Sequence, residues 1–202
     1  NTKINIGSIL GLKKFCKKHP HANISVTIKS RNELIHWERG EHFDVALVSL
    51  PFEQRVFRKK SFVRFPAVVA IHSTDPLMKK SIININDLKN KNLISLEPSG
   101  IFQTSIREKL MENKIEPIIK IQSTSMLQSA QMVENNIGIA IIDPFVGHII
   151  ESKNVIIKPL NPSIFFDYAY IWPEGRDLSA LSEEFLVDLK KIAKKISHKY
   201  TF

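Results

Sequence analysis

Residues Ile118 to Pro144 read IIKIQSTSMLQSAQMVENNIGIAIIDP, and the fold class follows from them. Ile119 and Ile121 alternate with polar residues and run into the small polar cluster Gln122-Ser123-Thr124-Ser125. Met126, Leu127, Ala130 and Val133 then recur at spacings that share one helix face. Asn135, Asn136 and Gly138 close that helix, because Asn and Gly tolerate the left-handed conformation of a helix end. Ile139-Ala140-Ile141-Ile142 follows, a continuous apolar run of the kind buried on both faces of a parallel sheet. The stretch is a strand–helix–strand unit. Its hydroxyl cluster lies where a strand's carboxyl end meets a helix's amino end, the edge at which open α/β sheets bind ligands. A helix N-cap is the commoner role for Thr124 or Ser125, and the two roles are compatible.

The same grammar extends outward. Asn92 to Leu96 is a strand, Glu97-Pro98-Ser99-Gly100 a strand-to-helix loop, and the next helix runs from Ile101 to Asn113. Lys3 to Gly7 reads as a buried strand, and Leu12, Phe15 and Cys16 as a helix ended by His19-Pro20. Ile24, Val26 and Ile28 alternate as a strand does, and Glu33 to Arg39 forms a short helix before Gly40. Val45 to Leu50 is a further apolar strand, so the opening fifty residues give the β-α-β-α-β order of a parallel sheet. Phe52 to Lys60 reads as basic and irregular, and Ser61 to Ile71 as one or two strands around Pro66. Val155–Leu160 and Phe165–Trp172 are strands. The chain closes in an amphipathic helix with Phe185, Leu189, Ile192 and Ile196 inward and lysines outward.

At 202 residues, with 43% hydrophobic and 24% charged content, the chain is an ordinary globular protein of one or two domains. No apolar run reaches the roughly 20 residues of a membrane helix. Cys16 is the single cysteine, which excludes an internal disulfide and suits a reducing compartment. The first residue is Asn1, as expected of a fragment or a processed product. The net charge of +9 favours anionic partners, but the lysines are scattered and read chiefly as a solvated surface.

No nucleophile elbow, phosphate loop or zinc-protease motif occurs. Cys16-x-x-His19-x-His21 is the nearest approach to a metal motif, and it straddles a helix end with no second cluster to complete it. What recurs is a strand followed by small hydroxyl residues at a helix start: Gly7-Ser8, Ser30-Arg31-Asn32, Ser99-Gly100 and Thr124-Ser125, with Ser49 ending a fifth strand. Hydroxyls and free N–H groups there suit a small anion, a carboxylate above all, and Arg31 would add a bidentate clamp. This set lacks a base and an activated nucleophile, so it suits binding rather than catalysis.

The order of features resembles the effector-binding domain of LysR-type transcriptional regulators. The pieces are INIGS, FCKKHPHANISV, HFDVALVSLP, FPAVVAIHSTDPL and NNIGIAIID, and together they cover essentially the whole chain. FPAVVAIHSTDPL resembles, in particular, the branch sensing opines, lysine or related amino acids. The resemblance implies an α/β fold of the type II periplasmic-binding-protein kind, with two Rossmann-like subdomains joined by two crossover strands. Residues 1–49 and 169–202 would form the first subdomain and 50–168 the second. It implies an effector contacted by Ser8, Ser30, Arg31, Ser49, Ser99, Gly100, Thr124 and Ser125 in the cleft between subdomains, with no cofactor or metal. It also implies a cytoplasmic, non-enzymatic homodimer or homotetramer without membrane contact, touching DNA only through an N-terminal domain outside this chain. The alternative is a periplasmic solute-binding protein for a small amino acid or anion. Two departures stand out. Gly7 reaches His19 in fewer residues than the family uses, and Asp143 replaces the usual hydrophobic or neutral residue, where it is expected to cap the helix after Pro144.

Overall fold

The computed structural model describes residues 9–27, 33–34, 43–98, 100–150 and 152–200. In chain order its elements are α1 (Ile9–Lys18), β1 (Ala46–Ser49), β2 (Phe57–Pro66), β3 (Val68–His72), β4 (Ile83–Asn84), β5 (Asn92–Leu96), α2 (Ile101–Glu112), β6 (Ile118–Ser123), α3 (Met126–Glu134), β7 (Ile139–Ile142), α4 (Pro144–Ile149), β8 (Val155–Asn161), β9 (Phe165–Pro173) and α5 (Ala180–Tyr200). The chain divides into two compact units: residues 1–63 with 167–195, and residues 64–166 with 196–202. It passes from one unit to the other within β2 and returns within β9.

Among the described residues the first unit holds a three-stranded sheet in the order β1-β9-β2. β1 runs antiparallel to β9, with Ala46 opposite Ile171 and Ser49 opposite Tyr168. Val48, Phe52, Ala169 and Ile171 pack with Leu34 and Phe43 as its core. α1 lies against α5: Phe15 meets Phe185 edge-on at 5.3 Å, and Gly11 leaves room for the same ring. Ion pairs line that contact, with Lys14 3.2 Å from Asp188 and Lys18 2.5 Å from Glu184. Ser179 caps α5, its Oγ accepting the Ser182 N–H at 3.1 Å.

Two sequence expectations fail here. Phe57–Lys60 is not irregular but the start of β2. β2 ends the sheet order, so Arg58, Lys59 and Lys60 project into water without breaking it, and the basic run masked the strand. Ile24 forms a single bridge and residues 25–27 no strand, while Ile28 of the expected strand lies outside the described residues. The expected strand at Lys3–Gly7 and most of the expected helix after Glu33 lie outside the described residues.

The second unit is a six-stranded sheet ordered β4-β8-β3-β7-β5-β6. β3 is antiparallel to β7 and β8, whereas β5 is parallel to both β6 and β7. Every residue of β7 is buried, as are four each of β3 and β5. The outer strand β6 is different: Ile118 and Ile119 are exposed, and the ladder shifts register between Leu93 and Ile94. That irregularity, with Lys120 at its centre, blunts an edge that would otherwise invite further strands.

α3 stops as its asparagines require. Asn136 takes the left-handed conformation (φ 56), and Ile137 N–H closes back onto Met132 O at 3.1 Å. Gly138 serves another purpose. A Cβ there would lie 2.6 Å from the Asn92 carbonyl oxygen, so only glycine lets β7 enter beside β5. Gly138→Ala should lower unfolding free energy by about 1–3 kcal/mol, read by urea denaturation; an unchanged midpoint would show that the backbones can part without cost.

Hydrogen bonds from Lys18 and then His19 hold the Glu184 carboxyl below the usual carboxylate range. A depressed carboxylate lends stability above its unfolded value and loses it as pH falls through the folded one. Lys18→Met should therefore move the Glu184 titration, followed by carboxyl NMR, upward. An unmoved curve would mean that the pair does not form in solution.

Candidate functional site

In the second unit the carboxyl ends of β5, β6 and β7 share one edge, and a helix starts after each: α2, α3 and α4. The connection leaving β5 runs outward to β6, while those leaving β6 and β7 run the opposite way along the sheet. Right-handed crossovers then put α2 on one face and α3 on the other. The carboxyl end of β5 is thus the topological switch point, where such sheets hold ligands.

Gly100 is the N-cap of α2 and offers no side chain to its free N–H groups. Its N–H donates to Glu97 O at 2.9 Å, and Glu97 N–H donates to Ser123 O at 3.0 Å, joining the two loops. A Cβ on Gly100 would sit 3.1 Å from Glu97 O, which keeps this turn small.

The three hydroxyls after β6 have separate roles. Buried Ser123 accepts the Ser125 N–H at 3.1 Å and lies 3.0 Å from Ser125 O, fixing the turn. Ser125 caps α3, with Gln128 N–H 3.5 Å from its Oγ, and its carbonyl also receives the Ser129 hydroxyl at 3.1 Å. Thr124, between them, is exposed and bonds to nothing among the described residues. The edge therefore presents a free hydroxyl and the amino ends of two helices, groups that favour a negatively charged ligand.

Of the positions expected to bind, Gly100, Thr124 and Ser125 come together at this edge. Ser49 ends β1 in the first unit, half-buried and already engaged in an interaction. Ser8, Ser30, Arg31 and Ser99 lie outside the described residues. Asp143 is the expected cap: its carboxylate accepts the Val146 N–H at 2.8 Å at the start of α4. His19 lies tilted against Phe15 and bonds Glu184, and no metal-ligating group forms among the described residues.

Gln103 escaped the sequence reading. It is buried, and its Oε1 accepts the Leu96 N–H at 3.1 Å, pinning α2 to the end of β5. The signal was its spacing, because Gln103, Ile106 and Leu110 share the buried face of α2.

The LysR substrate binding domain signature matches residues 11–191. The chain belongs to this family. Among curated relatives, the regulatory protein NocR of Agrobacterium tumefaciens (strain T37) is 20% identical over 174 residues, covering 86% of this chain and 58% of NocR. The HTH-type transcriptional activator CmpR of Synechocystis is 22% identical over 178 residues, covering 87% of the chain and 58% of CmpR. The chain thus spans a little over half the length of these relatives. Among solved structures, the Synechocystis CcmR regulatory domain in complex with 2-PG matches with a TM-score of 0.75 at 18% identity, over 96% of each chain. HinK, a LysR family transcriptional regulator from Pseudomonas aeruginosa, matches at 0.78 and 14% identity over 96% of this chain and 71% of that one. These likenesses bear out the expected α/β fold of LysR regulatory domains, and the family assignment bears out the resemblance.

Ser123→Ala removes the acceptor that holds the Ser125 N–H. It should cost about 1 kcal/mol and speed hydrogen exchange at Ser125; unchanged exchange would show that the turn holds without it.

Proposed function

We propose that the chain is the sensory module of a transcription regulator and binds a small carboxylate, amino-acid-like or otherwise, at the carboxyl edge of the second unit's sheet. The observation that carries this reading is the free Thr124 hydroxyl between two helix amino ends. Ser99 and Gly100 on one loop and Thr124 and Ser125 on the other are the proposed contacts. The family's role as a substrate-binding domain supports it, as does the likeness to CcmR, whose regulatory domain is solved with 2-PG. NocR and CmpR are named as regulators, which favours a regulatory over a transport role. In this reading the module works in the cytoplasm of a homodimeric or homotetrameric protein, and DNA is contacted by a separate domain. It binds and releases its effector unchanged.

A thermal-shift screen against amino acids, opines and other small carboxylates tests the proposal. A ligand at a hundred times its Kd should stabilise by about 2.7 kcal/mol, raising Tm by a few degrees. Thr124→Val should then weaken the hit by about 1 kcal/mol while leaving the ligand-free Tm in place, because Thr124 bonds to nothing among the described residues. Equal affinity in the variant would remove Thr124 from the site.

A further inference from the structure

We propose that the lysine face formed by α1 and α5 of the first unit is a contact for the phosphates of duplex DNA, independent of base sequence and separate from the effector edge. The choice of DNA among polyanions rests on the regulator reading above, in which another domain already holds a duplex. α1 and α5 stand at opposite ends of the chain and pack antiparallel: Lys14 meets Asp188 and Lys18 meets Glu184, so the partner moves back along α5 as α1 advances. Asp188 lies 3.2 Å from Lys14 and 3.6 Å from Lys191, so the lysine rows of the two helices meet at one carboxylate. Lysines scattered in the sequence are thus gathered by the fold.

The acids of this region are already engaged. Asp188 holds Lys14 and Lys191, and Glu184 holds Lys18 and His19. Glu183 stands in the first turn of α5, and after Asp188 the helix carries no acid as far as Tyr200. Lys13, Lys17, Lys190, Lys194 and Lys195 are exposed and, among the described residues, pair with nothing. The helix dipole does not account for them on α5. It favours cations in the last turn, where His198 and Lys199 stand, and Lys190, Lys194 and Lys195 lie further in. Lys13 and Lys17 are four apart on one helix, as are Lys190 and Lys194, and at that spacing like charges repel. A row of phosphates would turn the repulsion into attraction and release the duplex's own counterions.

The chemistry of the face fits a nucleic-acid backbone better than a lipid layer or a protein. The apolar sides of both helices are buried at Phe15, Phe185, Leu189 and Ala193. Neither helix exposes an aromatic ring among its described side chains, and the exposed apolar residues Leu181 and Val187 lie on the turns before Lys190. A membrane-surface helix needs an apolar face to insert, and a protein interface needs buried anchors at its centre. Neither helix contains arginine, the residue that suits fixed bidentate recognition. Flexible point charges position a backbone without reading bases.

The test follows the anisotropy of a labelled duplex of arbitrary sequence, about 30 base pairs long, titrated with this chain over a range of salt. If each of the free lysines meets a phosphate, log K should fall against log salt with a slope of about −4 to −5. Lys190→Gln with Lys194→Gln and Lys195→Gln should weaken binding at least about tenfold at low salt and flatten the slope by about three. Gln has nearly the helix propensity of Lys, and the three positions are exposed, so the fold should hold. The control, Lys79→Gln with Lys89→Gln and Lys120→Gln, removes the same charge from exposed positions of the second unit and should weaken binding less than about twofold. Acetylation of the unaltered chain is a second readout: bound duplex should protect Lys13, Lys17, Lys190, Lys194 and Lys195 and leave the control lysines open. Equal losses in the two variants, equal protection everywhere, no binding at about 50 mM salt, or tighter binding to phosphatidylserine vesicles than to the duplex would each overturn the proposal. None of these results involves Thr124 or its loop, so the effector reading would stand, and a silent carboxylate screen would leave the duplex result standing.

Discussion

A strand buried on both faces is the constraint from which the second unit follows. Ile139 to Ile142 has no polar side chain to offer water, so it must have apolar layers above and below and paired strands on both sides. Fully burying each large aliphatic side chain contributes about 1.5–3 kcal/mol, which no edge position would supply. β3 and β5 flank it, themselves mostly buried. Parallel pairing with β5 rules out a hairpin, so a helix must carry the chain back each time. Helices that follow parallel strands all begin at one edge. The edge proposed to bind the effector is thus a consequence of how β7 is buried, and Gly138 is the steric condition for it, since a side chain there would meet the β5 backbone.

The sequence made this part of the fold legible because its signals are local. The apolar run of β7, the Asn135-Asn136 stop and the helix bounds of α2 are all periodicity or turn chemistry, and they reappear in the structure within a residue or two. The failures share a cause as well. β2 carries three consecutive basic residues at Arg58 to Lys60, and its strand character comes from pairing with β9, which no window of sequence contains. At Ile24 to Val26 the alternation yields, among the described residues, a single bridge at Ile24. For the site, residue type located the loops but did not divide the work within them. Ser123, Thr124 and Ser125 look alike in sequence, and only hydrogen-bond partners distinguish them. Gln103 was hidden because a glutamine on a helix is usually at the surface, and its burial is a tertiary fact.

The net charge of +9 is a poor guide to this edge, although its sign agrees with an anionic ligand. Exposed lysines act through water, and beyond about 8 Å physiological salt screens most of their field. The amino end of a helix acts differently. It carries roughly half a positive charge in fixed geometry within hydrogen-bond reach, and its N–H groups need no side chain to be ordered. At the end of β5 and β6 two such ends sit on loops joined by the Glu97–Ser123 bond, so ordering one loop helps order the other. This coupling explains why the hydroxyls are unequal. Ser123 and Ser125 are committed to holding the α3 turn and its first N–H groups, so using either for a ligand would undo the geometry that makes the helix end useful. Thr124 is the member of the trio whose donor can be given to a ligand without loss elsewhere. An edge proposed to bind an anion needs both sorts of residue: those that satisfy the backbone, and at least one whose donor is left over among the described residues.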